Sequence, residues 1–178
     1  MTIPSLLRRS AAVIAAAVLC TCGSLDHFDV HTGASAKIPA ATILDELLGS
    51  VAFPGFDNLS FSQQIANQGV TEDQIDSVVV KTFVIHTDPG SGDTLDFLQS
   101  ASFYAEADGL PKVLVASGSD FAGQTSVDLD LEDEELKPYV VAPSMTLSAE
   151  IKGKKPQKET TVTADVTLTV DATIPGCN

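Results

Sequence analysis

Few side chains in this sequence have the type and spacing to do chemistry. The three histidines, His27, His31 and His86, are not placed at helical metal-binding spacing, and His27 and His31 meet only if their segment bends. Gly118-Ser119-Asp120-Phe121-Ala122-Gly123 lacks the glycines two residues either side of a serine that form a nucleophile elbow. No Cys-X-X-Cys, metalloprotease helix or phosphate loop is present. These absences point away from an enzyme, and no cofactor or metal is expected. Asp128, Asp130, Glu132, Asp133, Glu134 and Glu135 supply the oxygens that Ca²⁺ wants. However, Asp128 and Asp130 alternate with Val127, Leu129 and Leu131, which reads as the wet face of a strand running into a turn stopped by Pro138. The glycine-bearing loop Asp88–Asp93, with Asp96 beyond, reads as a strand connection rather than a calcium loop.

Two groups are better placed to bind something. Lys152, Lys154, Lys155 and Lys158 crowd half of the eight lysines onto one expected hairpin tip. Such a tip suits anionic lipid, lipopolysaccharide phosphate or an acidic glycan, each lysine near a charged membrane contributing about 1 kcal/mol; as a bland surface it discourages edge pairing. Phe53, Phe56 and Phe61 surround Pro54-Gly55. They suit either an apolar ligand cavity or a plug for one open end of a sandwich.

Overall charge narrows the partners. The 178 residues carry 10 basic and 24 acidic side chains, net −14. Removing the head that holds Arg8 and Arg9 leaves eight basic residues and a net charge of −16. A surface so negative repels phosphate backbones, so no nucleic acid is expected as partner.

The start of the chain has its own logic. A head ending in Arg8-Arg9 precedes the apolar run Ala11–Leu19, and Cys20-Thr21-Cys22-Gly23-Ser24 follows. The run is shorter than the roughly 20 residues a spanning helix needs and matches a secretory signal peptide. Leu19-Cys20-Thr21-Cys22 resembles the lipobox of bacterial lipoproteins, with Cys22 as the lipidated residue; Ala17-Val18-Leu19-Cys20 fits the pattern less well, because Leu19 is large for the position before cleavage. The resemblance implies a signal peptide over residues 1–21 and a membrane partner through the lipid anchor; the length behind it and the lack of an evident linker suggest a single domain over 22–178. Gly23 after the cysteine implies the outer membrane of the cell envelope. Ordinary cleavage without lipid is the alternative. Cleavage before Cys22 leaves Cys177 alone, whereas cleavage before Cys20 frees Cys22 to pair with it.

Residues that position any site must come from strands. Val162, Ala164, Val166, Leu168, Val170, Ala172 and Ile174 alternate with threonines and aspartates, the period of a half-buried strand. Met145, Leu147, Ala149 and Ile151 alternate likewise, and Gly153–Lys158 is expected to join the two as a hairpin. Ala101, Phe103, Ala105 and Ala107 form an inward row, Gly109 turns the chain into a strand over Lys112–Ser117, and Val127, Leu129 and Leu131 form another row. Val78–His86 is apolar on both faces and reads as central and covered on both sides. Asp29–Lys37 and Leu59–Ile65 are further strand candidates. Ile43, Leu44, Leu47 and Leu48 suggest a short helix, and Thr71-Glu72-Asp73-Gln74 a capping box.

The expectation is an all-β, seven- to eight-stranded antiparallel, immunoglobulin-like β-sandwich with one or two short helices. Its likeness to immunoglobulin domains is architectural, since their Cys–Trp–Cys hallmark is absent. With a short helix before Pro138-Tyr139 and a late threonine-rich strand, it is also loosely similar to the sandwich domains of water-stress, late-embryogenesis proteins. The functional expectation is a membrane-anchored, non-enzymatic binding or structural module whose partner is an envelope protein or glycan. A carrier or sensor of a small apolar or anionic ligand is the alternative.

Overall fold

Alternation dominates the computed structural model, which describes residues 27–41, 50–51 and 61–173. Nine strands occur among them: β1 (His27–Ile38), β2 (Ser50–Val51), β3 (Ile75–Thr87), β4 (Leu98–Ala107), β5 (Val113–Ser119), β6 (Ser126–Asp128), β7 (Asp130–Leu131), β8 (Met145–Gly153) and β9 (Thr160–Ala172). Two short helices, α1 (Phe61–Asn67) and α2 (Lys137–Val140), and one 3₁₀ turn at Glu72–Gln74 accompany them. The six apolar side chains of β9 from Val162 to Ala172 are all at most 2% exposed, so the strongest pattern in the sequence faces the core.

Pairing is nested. β1 lies against β9, β2 against β8, β3 against β6 and β4 against β5, all antiparallel. Further pairing gives two sheets, β1-β9-β3-β6 and β2-β8-β4-β5-β7. The layering is that of an immunoglobulin-like sandwich, while the strand order is that of a jelly roll, two Greek keys rolled together. Phe83 of β3 and Phe103 of β4 join the sheets at the centre, their rings 4.4 Å apart and tilted by 41°.

Several local expectations are corrected. β8 and β9 are not a hairpin: they belong to different sheets. Residues 154–159 arch from one sheet to the other, longer than the two- to five-residue links usual in hairpins, with Pro156 buried. Gly153 starts the arch where a Cβ would lie 2.2 Å from the Phe97 carbonyl oxygen, and the Lys154 N–H donates to that oxygen at 2.9 Å.

β3 is indeed central, paired with both β9 and β6, but only one face is dry. Its register slips between Ile75 and Ser77 and between Val80 and Thr82. A one-residue bulge exchanges the faces of a strand. Val78, Phe83, Ile85 and Thr87 therefore point inward, while Val79, Val80 and Val84 are half-exposed.

Leu131 does not continue the inward row of Leu129; it is 39% exposed. The chain changes sheets there, β6 pairing with β3 and β7 with β5, so alternation is interrupted. The described part of Leu59–Ile65 is helix α1, with Phe61 and Ile65 both buried one turn apart. Pro138 does not stop a turn but sits inside the first turn of α2, where its missing N–H costs nothing. The Ile43–Leu48 helix expectation lies outside the described residues. At Thr71 the return arm of the capping box is present, the Thr71 N–H donating to Gln74 Oε1 at 2.8 Å.

Candidate binding cleft at one end of the sandwich

The strand directions give the molecule two distinct ends. At the near end β1 begins at His27, beside Asp171 of β9. The 3₁₀ turn, the start of β3 and α2 gather there: the Thr173 N–H donates to the Gln74 carbonyl at 2.8 Å, and the Leu136 N–H to the Val78 carbonyl at 2.8 Å. β1 then runs twelve residues to Ile38, opposite Thr160, a length of about 35–40 Å at roughly 3.3 Å per residue. The far end holds the loop from β3 to β4, the loop from β5 to β6, and the arch from β8 to β9.

At the far end the arch and the Asp88–Phe97 loop enclose a cleft of about 450 Å³. Lys154, Lys155 and Lys158 line it from the arch, and Asp93, Asp96 and Phe97 from the loop. Thus the structure brings together two segments that the sequence presents as unrelated, the lysine cluster and the acidic glycine-bearing loop. Lys152 stays outside, exposed on β8 opposite Ser100.

The loop is held from behind. Leu95 is fully buried and its N–H donates to the Gln124 carbonyl at 2.7 Å. The Thr87 hydroxyl donates to the Asp93 carbonyl at 2.9 Å. Asp96 accepts the Gly123 N–H and, at 2.7 Å, the Thr94 hydroxyl. These two donors, Gly123 first, hold its carboxyl below the usual carboxylate range. Asp93, 13% exposed, takes Lys158 at 2.5 Å. Lys154 remains exposed, and among the described residues no hydrogen bond or ion pair engages its ammonium group.

The remaining candidates separate. Phe53 and Phe56 lie outside the described residues. Phe61 is 1% exposed and packs into the core, so its role is packing. The run from Asp128 to Glu135 is exposed apart from the buried Leu129. Glu135 acts structurally, one carboxylate oxygen accepting the N–H groups of Val78 and Lys137 at 2.8 Å each. No cluster of three or more His, Cys, Asp or Glu side chains able to share a metal occurs among the described residues.

The histidines share an environment that sequence spacing does not reveal. All three belong to the outer face of the β1-β9-β3 sheet and bond to outward residues of β9. His27 pairs with Asp171, His31 Nδ1 lies 2.9 Å from Thr167 Oγ1, and His86 Nε2 lies 2.9 Å from Asp165 Oδ2. His86 Nδ1 also faces the Thr87 carbonyl at 2.9 Å. That carbonyl, and then Asp165, raise the His86 pKa because the doubly protonated ring alone satisfies both acceptors. Asp171 is held low by hydrogen bonds from His27 and Ser77, and Asp29 by Lys81 and Thr169.

A second cavity, about 500 Å³, lies at the near end between α1, the 3₁₀ turn and α2. Its floor is Ile65, Val70, Ile75 and Val140, and Glu72 and Asp73 stand on its rim.

No protein-family model matches the sequence, and no curated protein does. Among solved structures, the decameric BFDV capsid protein is similar over 83% of this chain and 98% of its own, at 10% identity and a TM-score of 0.41. The 60-mer BFDV capsid protein is similar over 82% of this chain and 92% of its own, at 12% identity and a TM-score of 0.37. Strand order alone defines the class of fold, a jelly-roll β-sandwich.

Proposed function

We propose that this chain is an exported lipoprotein of the cell envelope, anchored through Cys22, and that its sandwich is a non-enzymatic module that binds an anionic envelope component. The observation that carries the proposal is the polarity of the molecule. β1 begins five residues after Cys22, a tether of about 15 Å at full stretch. That short tether holds the near end at the bilayer. The lysine-lined cleft lies at the other end of β1, so a domain standing on its tether directs the cleft away from the anchoring membrane.

This geometry favours a ligand presented from across the compartment over the headgroups beneath the anchor. Phe61 in the core gives no support to an apolar carrier, and the cleft lysines favour the anionic branch of the ligand alternatives. The test is fractionation of cells making the native chain and a Cys22→Ser variant. The native protein is expected in the outer-membrane fraction and the variant in the soluble or inner-membrane fraction. Equal partitioning of the two would remove the anchor.

A further inference from the structure

We infer that the far-end cleft is a binding site for a carboxylated saccharide, a sugar bearing a single carboxylate per ring. The inference rests on the proposed anionic-ligand reading and names the ligand class.

Charge magnitude is the first argument. Three lysines and two aspartates line the cleft, leaving a residual charge near +1. One of the lysines is spent on Asp93 and cannot turn fully to a ligand. Such a site attracts a monovalent carboxylate, whereas the extra charge of a phosphate monoester meets Asp93 and Asp96. Among the described residues, no hydrogen bond or ion pair has to break for the Lys154 ammonium to meet a ligand. On a chain of net charge −14, this arch is where cations concentrate, and an anion is steered there.

The rest of the lining is the second argument. Gln99 and Gln157 contribute exposed amides that both donate and accept, and Thr94 a hydroxyl. The exposed Asp96 carboxylate retains acceptor capacity for a ligand hydroxyl. Phe97, half-buried in the wall, offers an apolar surface to the C–H face of a sugar ring. Vicinal hydroxyls, one carboxylate and an apolar face are the features these groups match together. The volume of about 450 Å³ lies within the roughly 300–1,000 Å³ typical of small-ligand sites.

The test is calorimetry and two-dimensional NMR on the full mature chain in detergent micelles. Methyl galacturonoside, its neutral counterpart methyl galactoside and inorganic phosphate are the probes, and anionic vesicles form a separate arm. Methyl galacturonoside should bind and shift the amides of Phe97, Gln99 and Lys154, with methyl galactoside at least 10-fold weaker. Lys154→Gln should weaken the uronate at least 5-fold without changing Tm, and Gln99→Ala should weaken both sugars. No uronate binding, or equal binding of the acidic and neutral sugars, would overturn the inference. Binding of phosphate or vesicles in place of uronate would also overturn it while leaving the anionic-ligand reading intact. The Cys22 fractionation tests the anchor separately.

Discussion

The two ends of this sandwich are built from the same strands but do opposite things with their connections. At the near end, connections turn back into the fold. The 3₁₀ turn, α2 and the Glu135 carboxylate saturate the backbone at the start of β3, and acidic groups such as Glu72 and Asp73 face outward. At the far end, the arch and the Asp88–Phe97 loop touch through the Lys158–Asp93 ion pair and the Lys154 N–H to Phe97 bond, yet leave a polar cleft between them. Both ends carry a cavity, but the near one has an apolar floor and an acidic rim, whereas the far one is furnished with lysines. An acidic end beside anionic headgroups is repelled, so a covalent lipid, rather than surface charge, is what would hold such a domain at a membrane.

The largest expected effect removes the waist that both ends share. Phe103→Ala deletes a fully buried ring packed on Phe83 and should cost about 3–5 kcal/mol. Chemical denaturation should show both ends unfolding together.

Gly153→Ala should divide the ends. Its Cβ would fall 2.2 Å from the Phe97 carbonyl oxygen and 3.1 Å from the Leu98 Cα, backbone atoms that cannot swing aside. A cost of about 1–3 kcal/mol is expected. Hydrogen exchange should accelerate around residues 87–98 and 153–160 while the start of β3 stays protected.

Glu135→Ala is the mirror experiment. It strands the Val78 and Lys137 N–H groups and should cost about 1–2 kcal/mol. Exchange should accelerate at residues 75–80 and 136–140, with the cleft unaffected.

The smallest effect concerns pH on the outer face between the ends. The His86 pKa is raised in the folded state. Its stabilising contribution is therefore fully present below about 6.5, the unfolded value, and is lost as pH rises through the folded pKa. Tm should fall slightly more between pH 6 and 9 in the native chain than in His86→Gln, by less than about 1 kcal/mol of stability. Asp29 works in the other direction: its depressed pKa gives a contribution present above its unfolded value and lost as pH falls through the folded one.

What was legible in the sequence follows the physics of alternation. In β4, β8 and β9 every second side chain is apolar over seven or more residues, starting at Ala101, Met145 and Val162, and each of those rows faces where its pattern requires. Alternation says which face is wet but nothing about which strand is the neighbour. Hence Met145–Ile151 and Val162–Ala172 read equally well as a hairpin or as strands of facing sheets. Pairing separates them: β8 lies between β2 and β4 in one sheet, and β9 between β1 and β3 in the other. β3 was harder because two bulges exchange its faces mid-strand.

The cleft illustrates the same limit. Its lysines stood out as a charge cluster, but Asp93, Asp96, Phe97 and Gln99 join them only through the sheet-to-sheet arch. The histidines likewise gain Asp165, Thr167 and Asp171 as partners through the pairing of β9 with its neighbours, which no local spacing announces.

The central claim is a sandwich tethered by lipid at one end and free to bind at the other. Intact-mass measurement of the protein isolated from its own membranes tests it most directly. The account predicts a chain of residues 22–178 heavier than its amino acids by the mass of acyl chains on Cys22. An unmodified chain, or one beginning elsewhere with Cys22 joined to Cys177, would contradict it.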